Sequence, residues 1–110
     1  MALPEPPYYA VIFSSDLSPD DAGYDKMAEE MAALAAAQPG YLGMESVRGS
    51  DRFGITVSYW RSEADIAAWK AVMRHRAAQK TGQARWYRHY TLRVAKVERQ
   101  YEGPEGRDAP

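Results

Sequence analysis

The chain has 110 residues, enough for one domain with its own core, and no cysteine, which excludes disulfide scaffolds, thiolate zinc sites and cysteine nucleophiles. Fourteen basic and fifteen acidic residues give a formal charge of −1 with the signs interspersed, so nothing indicates a nucleic-acid partner or an anionic membrane surface. The sequence shows no signal peptide and no apolar stretch long enough to span a bilayer, so we expect a soluble cytoplasmic protein.

The first half of the chain predicts a strand and a helix. Residues 1–7 contain three prolines, which cannot join a sheet ladder, so they should form an irregular lead-in. Residues 8–14 are aromatic and β-branched, which indicates a strand covered on both faces or nearly so. Ser18 suits an N-cap and Pro19 the first helical position, so a helix should begin there and end at Pro39-Gly40. One stripe of that helix carries Tyr24, Met27, Met31, Leu34 and Gln38.

The second half predicts two strands, a helix and a last strand. Residues 41–49 alternate so that Leu42 and Met44 share one side, while Tyr41 and Glu45 share the other. A turn at residues 49–54 leads to a strand over residues 54–60, and Ser62 should cap a second helix that ends at Gly82. Residues 83–88 could make a short turn. Residues 90–101 alternate apolar and charged side chains as a final strand, and residues 102–110 have no periodicity and read as a flexible tail.

The element order β, α, β, β, α, β is that of the ferredoxin-like fold in the α+β class, a four-stranded antiparallel sheet with both helices on one face. The other face is also apolar, because in the first strand three apolar residues oppose another three: Tyr9, Val11 and Phe13 against Tyr8, Ala10 and Ile12. Such a face calls for a cover. We therefore expect a homodimer formed by sheet-to-sheet packing.

Residues 58–90 hold all three tryptophans and both histidines. Aromatic side chains with a titratable imidazole among them could line an apolar pocket that carries a proton-transfer group. The alternative is a well-filled core, since tryptophan and tyrosine supply much of the buried area of a small domain.

Several runs, in this element order, resemble the antibiotic biosynthesis monooxygenase family of dimeric α+β barrels over residues 8–101. They are QPGYLGMES, FGITVSYWRSEADIAAWK, HRAAQ, WYRHY and RVAKVER. The most specific part is the strand that ends in Trp60, followed by Ser62-Glu63 and then Trp69 on the helix. The resemblance implies that fold over residues 8–101. Members of the family include cofactor-free oxygenases of polycyclic phenols and quinols, heme-degrading enzymes, small-signal processing proteins and proteins without a known activity.

The heme-degrading branch of that family uses an asparagine on the first strand, a tryptophan on the second helix, and an iron-ligating histidine about ten residues later. Trp69 matches the tryptophan. The position ten residues on is Gln79, and the chain contains no asparagine. His75 is six residues past Trp69, which places it roughly 120° around the helix. Heme degradation by that triad is not expected here.

His75 is the candidate catalytic residue, because an imidazole that titrates near neutral pH could take the acidic proton of a phenol or activated carbon. It could equally be a boundary histidine that makes one hydrogen bond. The candidate substrate-binding residues each have a structural alternative as a core aromatic, an exposed carboxylate or an arginine that lies over apolar surface with its head in water. They are Trp69, Tyr59, Trp86, Glu45 and Arg76.

With these residues, the resemblance implies a cofactor-independent monooxygenase that acts on a small aromatic substrate of phenol or quinol type, in a pocket between sheet and helices. The sequence has no glycine-rich phosphate loop, no GxSxG and no metal-ligand cluster, so we expect neither metal nor cofactor. The alternative is a non-catalytic module that binds or senses a small ligand or heme. A carboxylate or lactone isomerase on the same fold is a third hypothesis.

Overall fold

A computed structural model describes residues 3–79 and 86–104. Its strands are β1 (Tyr8–Leu17), β2 (Tyr41–Arg48), β3 (Phe53–Trp60) and β4 (Tyr87–Val97), and its helices are α1 (Tyr24–Ala36) and α2 (Glu63–Gln79). The strands form one sheet in the order β2-β3-β1-β4, and all neighbours are antiparallel. The predicted ferredoxin-like α+β fold is confirmed. Neither helix, in the part of the chain described, is long and apolar enough to cross a membrane.

The N-cap of helix α1 is Gly23, five residues later than the predicted cap at Ser18, so that prediction was wrong. Strand β1 continues to Leu17, and the Ser18 N–H donates to the Trp86 carbonyl at 2.7 Å. The Ser18 hydroxyl donates to the Asp20 carbonyl instead of capping a helix. The helix starts after Gly23, whose φ of 83° is the left-handed conformation that glycine adopts without a steric penalty.

The second helix begins where it was predicted. The Asp65 N–H donates to the Ser62 hydroxyl oxygen at 3.1 Å, which is the expected N-cap bond. The predicted helix end at Gly82 lies outside the described residues, as does the segment 83–85 of the predicted turn. Strand β4 begins at Tyr87, earlier than the predicted residue 90.

Strand β2 departs from simple alternation at its start. The register with β3 shifts between Tyr41 and Gly43, so one residue of β2 has no partner. Tyr41 therefore lies on the same side as Met44, and its ring meets the Trp60 ring edge-on at 5.6 Å. The predicted separation of Tyr41 from Met44 was wrong because it assumed an unbroken two-residue period.

The core lies between the sheet and the helices, at the end of β3. Trp60 is fully buried and its ring stacks on Trp69 of α2, with centroids 5.9 Å apart and planes 23° from parallel. The Trp60 indole N–H donates to the Ser58 hydroxyl at 2.8 Å, so the polar atom of the buried ring is satisfied. The same cluster contains Val11, Ala35 and Ile66.

The sheet face away from the helices, called the open face below, is apolar and largely uncovered. Register and alternation place there the side chains of Ile12, Val57, Ile55, Phe53 and Val47. Exposure reaches 71% at Val47 and 42% at Phe53. At one end of this face Tyr8 is buried, and its hydroxyl donates to Gln100. The remaining apolar surface is the kind that a partner covers.

Replacing Trp69 with alanine should lower the free energy of unfolding by about 3–5 kcal/mol, because the substitution leaves a cavity beside Trp60. Urea unfolding followed by circular dichroism measures this loss. Arg74→Ala, at an exposed position of the same helix, is the matched control and should change stability by about 0.5 kcal/mol or less. Equal effects of the two substitutions would contradict the role assigned to the tryptophan stack.

Candidate functional site

The residues predicted to bind substrate do not converge on one pocket. Tyr59 and Glu45 lie on the open face, where the Tyr59 hydroxyl donates to the Glu45 carboxylate at 2.6 Å. Trp69 and Arg76 lie on the opposite side, on α2. Tyr59 directly precedes the buried Trp60, and successive side chains of a strand point to opposite faces. The structure thus separates two of the predicted residues from the others by the thickness of the sheet.

Trp69 is 4% exposed and its ring face is occupied by Trp60, so its observed role is in the core. Arg76 makes a two-pronged ion pair with Glu30 of α1, in which Nε donates at 2.8 Å and Nη2 donates at 2.6 Å. This pair joins α1 to α2. The Arg76 guanidinium, which was predicted to bind substrate, is bound to Glu30 instead. His75 is exposed on α2.

Trp86 is half-buried and anchors the loop before α1. Its indole N–H donates to the Ala22 carbonyl at 2.8 Å, and its ring lies 6.4 Å from the Tyr24 ring. The Trp86 carbonyl also accepts the Ser18 N–H. Among the residues predicted to bind substrate, Trp86 thus belongs to a second group of aromatic side chains.

This second group, called the tyrosine cluster below, lies on the helix side of the sheet and draws on β1, α1 and β4. Its members are Phe13, Tyr24, Trp86, Tyr87 and Tyr90. Ring centroids are 5.2 Å apart for Phe13 and Tyr87, 5.4 Å for Phe13 and Tyr90, and 5.7 Å for Tyr24 and Tyr87. Tyr90 is 58% exposed, so the cluster presents ring surface to an incoming molecule.

Along β4 the helix-side surface continues as apolar side chains. Val94 pairs with Val11 and Leu92 with Phe13, which places both on the side of the helices. Val94 is 46% exposed and Leu92 is half-buried. An apolar strip therefore extends from the tyrosine cluster along the edge strand.

Arg48 supplies the polar end of the tyrosine cluster. The Nη2 group donates to the Ser15 hydroxyl at 2.8 Å and to the Tyr24 hydroxyl at 3.2 Å. The Nη1 group donates to the carbonyls of Ser15 at 3.0 Å and Arg52 at 2.6 Å. A Cβ atom at Gly54 would lie 2.6 Å from the Arg48 guanidinium carbon, so the missing side chain of Gly54 provides the space for this group.

The turn between β2 and β3 holds this arrangement in place. The Arg52 carbonyl also accepts the Leu17 N–H, and Arg52 Nη2 donates to the Ser18 carbonyl and the Asp21 carboxylate, both at 2.6 Å. Arg52 itself has a left-handed backbone with φ of 74°, which is uncommon for a residue with a side chain. The turn is thereby tied to the loop that leads into Tyr24.

Burial raises the pKa of Tyr87 well above the ordinary tyrosine value, and its hydrogen bond and charge interaction with Tyr24 raise this pKa further, against a smaller opposite effect of Arg48. Tyr87 therefore stays a neutral phenol at physiological pH. It can donate a hydrogen bond to a ligand but cannot act as a base. Rings that are partly open, with phenolic hydroxyls and a guanidinium at one end, suit a flat aromatic molecule that carries an oxygen substituent.

Sequence interpretation missed Arg48, Ser15 and the joint role of Tyr24 and Tyr87. One signal was present, since alternation places Arg48 on the same side as the core-facing Met44, and a charge at such a position needs an explanation. The position of Ser15 depends on strand pairing, which the sequence does not display. Across the described residues, no group of three or more His, Asp or Glu side chains is arranged to hold a metal ion.

The pKa of Tyr59 is raised to about 12, first by burial, then by its hydrogen bond to Glu45 and the negative charge of that carboxylate. Glu45→Gln should therefore lower this pKa part of the way towards the ordinary value of 10.0. The folded-state value is the higher one, so the stabilisation from Tyr59 is complete below pH 10 and disappears as the pH rises through about 12.

Nuclear magnetic resonance titration of ring-labelled tyrosine, with Tyr59→Phe for assignment, measures this pKa. Glu29→Gln, at an exposed position of α1, is the control and should leave it unchanged. A Tyr59 titration that is the same with and without the Glu45 charge would contradict the assigned cause.

Two comparisons with known sequences give the family. Residues 9–81 match the antibiotic biosynthesis monooxygenase family. The chain is also 58% identical over 97 residues to YqjZ, an uncharacterised protein of Bacillus subtilis strain 168, and the match covers 88% of this chain and 85% of that protein.

Solved structures share the fold. SnoaB, a cofactor-independent oxygenase from Streptomyces nogalater, superposes with a TM-score of 0.64 at 14% identity, covering 91% of this chain and 100% of that one. MhuD, solved with two manganese protoporphyrin IX molecules per active site, superposes with a TM-score of 0.62 at 20% identity, covering 86% and 99%. Because the family match spans residues 9–81 and agrees with both sequence and fold, the chain belongs to the antibiotic biosynthesis monooxygenase family.

Proposed function

We propose that the protein is a cofactor-independent monooxygenase that oxidises a small phenol- or quinol-type substrate at the tyrosine cluster, with molecular oxygen as the oxidant. The observation that carries this proposal is the meeting of partly open aromatic rings with the Arg48 guanidinium and the Tyr24 hydroxyl, 3.2 Å apart. Family membership supports the reaction class, and the fold is that of SnoaB, a cofactor-independent oxygenase.

In the proposed reaction the substrate ring packs on Phe13, Tyr90 and the strip along β4, and its oxygen lies at the Tyr24 hydroxyl. A base removes a proton from the substrate, and the resulting electron pair reduces oxygen as a C–O bond forms. Protonation gives a hydroperoxide, and loss of water leaves a carbonyl at that carbon. One oxygen atom enters the product and the other leaves as water, while the substrate supplies all the electrons.

His75 is the proposed base. It lies on α2, on the helix side of the sheet, whereas His89 pairs with Asp16 on the open face. Its side chain is exposed, so proton transfer would run through an intervening water molecule or follow closer approach of His75 to the bound substrate. The hydroxyls of Tyr24 and Tyr87 would stabilise the negative oxygen that develops.

Oxygen uptake with a panel of quinols and anthrones tests the proposal. Tyr24→Phe should lower the rate about 100-fold, because it removes one donor to the developing oxyanion and keeps the ring. His75→Ala should lower the rate about 100-fold or more, which is the effect typical of losing a general base. Tyr101→Phe is the control, since Tyr101 is 46% exposed and lies after the last strand.

Oxygen uptake that is unchanged in His75→Ala would refute the assignment of His75 as the base but not the location of the site. Uptake that is unchanged in Tyr24→Phe would refute the tyrosine cluster as the site. No uptake with any substrate would favour the alternative, a module that binds a small ligand or heme without turnover. A hemin titration separates the two ligand classes, because specific binding changes the Soret band up to a stoichiometric end point, whereas non-specific association reaches none.

We also propose that the open faces of two copies pack together as a homodimer. Light scattering should give twice the chain mass of 12.4 kDa. Val47→Lys should return the protein to monomers, because it would bury an unpaired charge in the interface. Val94→Lys is the matched control: Val94 is an exposed valine on the other side of the sheet, and its replacement should leave the mass unchanged. A monomer mass for the unaltered chain would refute the proposal.

A further inference from the structure

We infer that Arg48 makes the tyrosine cluster selective for aromatic molecules whose oxygen is ionised, phenolates or enolates, over neutral rings of the same shape. The inference rests on the proposed location of the substrate and adds the charge state in which the ligand is held. It assigns Arg48 as a positioning residue that acts on the ligand through the Tyr24 hydroxyl.

The first support is that Arg48 has no counter-ion among the residues that the structure describes. Arg48 is half-buried, and all four of its hydrogen bonds go to neutral acceptors on Ser15, Arg52 and Tyr24. Within residues 3–79 and 86–104 no carboxylate forms an ion pair with this guanidinium. Charges that are withdrawn from water are usually paired, so a positive charge held here favours an anion beside it.

The neighbouring charges do not cancel that of Arg48. Arg52, in the adjoining turn, is paired with Asp21 at 2.6 Å, so this pair carries no net charge. The other titratable groups at the cluster are the phenols of Tyr24, Tyr87 and Tyr90, of which Tyr87 remains neutral. The Asp51 carboxylate, in the same turn as Arg52, is exposed and accepts the Phe53 N–H. The charge in direct contact with the Tyr24 hydroxyl is therefore that of Arg48, and partial burial makes its effect stronger than that of the same charge in water.

The geometry also provides a donor to the ligand. The Tyr24 oxygen accepts a hydrogen bond from Arg48 Nη2, and the bond that raises the pKa of Tyr87 is one that Tyr87 donates to Tyr24. The hydroxyl hydrogen of Tyr24 is then directed to an oxygen of a bound molecule. A hydroxyl that accepts from a guanidinium is polarised and becomes a better donor. An ionised oxygen gains more from such a donor than a neutral one.

Binding of 4-nitrophenol, whose ionised form has its own absorption band, tests the inference without any turnover. Titrated across its ionisation in the absence of substrate, the probe should bind about tenfold more tightly as the anion, which lowers its apparent pKa by about one unit when bound. Neutral 4-nitroanisole should bind no better than the neutral phenol. Arg48→Met should abolish the preference for the anion, and Arg48→Lys, which keeps the charge without the planar fork, should retain part of it.

Two further variants keep the inference testable if Arg48→Met does not fold. Circular dichroism monitors the folding of each variant. Gly54→Ala keeps the Arg48 guanidinium but places a methyl group in the space that it occupies. This variant should therefore reduce the preference for the anion although the charge is still present. Tyr24→Phe should reduce it by removing the donor. Equal binding of both probe forms, a preference that persists in Arg48→Met, or no binding of either form would overturn the inference. Anion preference without oxygen uptake from any substrate would leave it standing and refute the oxygenase alone.

Discussion

The burial of Trp60 is the constraint on which the rest of the molecule depends. Its position at the end of β3 pairs it with Tyr9 on one side and Tyr41 on the other, while α2 delivers Trp69 onto its face. Because side chains alternate along a strand, this one fully buried ring determines which residues of three strands face the helices. A slip of one residue would exchange the two faces, which makes the register strongly specified.

Two unlike surfaces follow from that register. The helix side holds the core at one end and the tyrosine cluster at the other. The Arg48 guanidinium lies over the sheet in the space that Gly54, which has no side chain, leaves open. The open face holds aliphatic and aromatic side chains and the Tyr59–Glu45 hydrogen bond. The same strands thus carry the proposed chemistry on one side and the proposed self-association on the other, without sharing side chains between them.

The element order, the cap at Ser62 and the apolar nature of both sheet faces could be predicted, because each depends on residues close together in the chain. The candidate site could not, since it joins β1, β2, α1 and β4 through pairings between distant segments. Alternation alone already implied that Tyr59 and Trp60 point to opposite sides. The start of α1 escaped prediction because β1 runs to Leu17 and the N–H of Ser18, which local propensity favoured as a cap, donates to the distant Trp86 carbonyl.

The distance between the tryptophan stack and the tyrosine cluster has an evolutionary consequence. Six residues of β1 separate Tyr9, beside Trp60, from Ser15, beside Arg48, which corresponds to about 20 Å of strand. Substitutions so far apart have nearly additive effects on stability. Aromatic residues of the tyrosine cluster can therefore be substituted to accommodate other molecules while Trp60 and Trp69 maintain the fold. One scaffold can in this way bind different ligands without changes to its core.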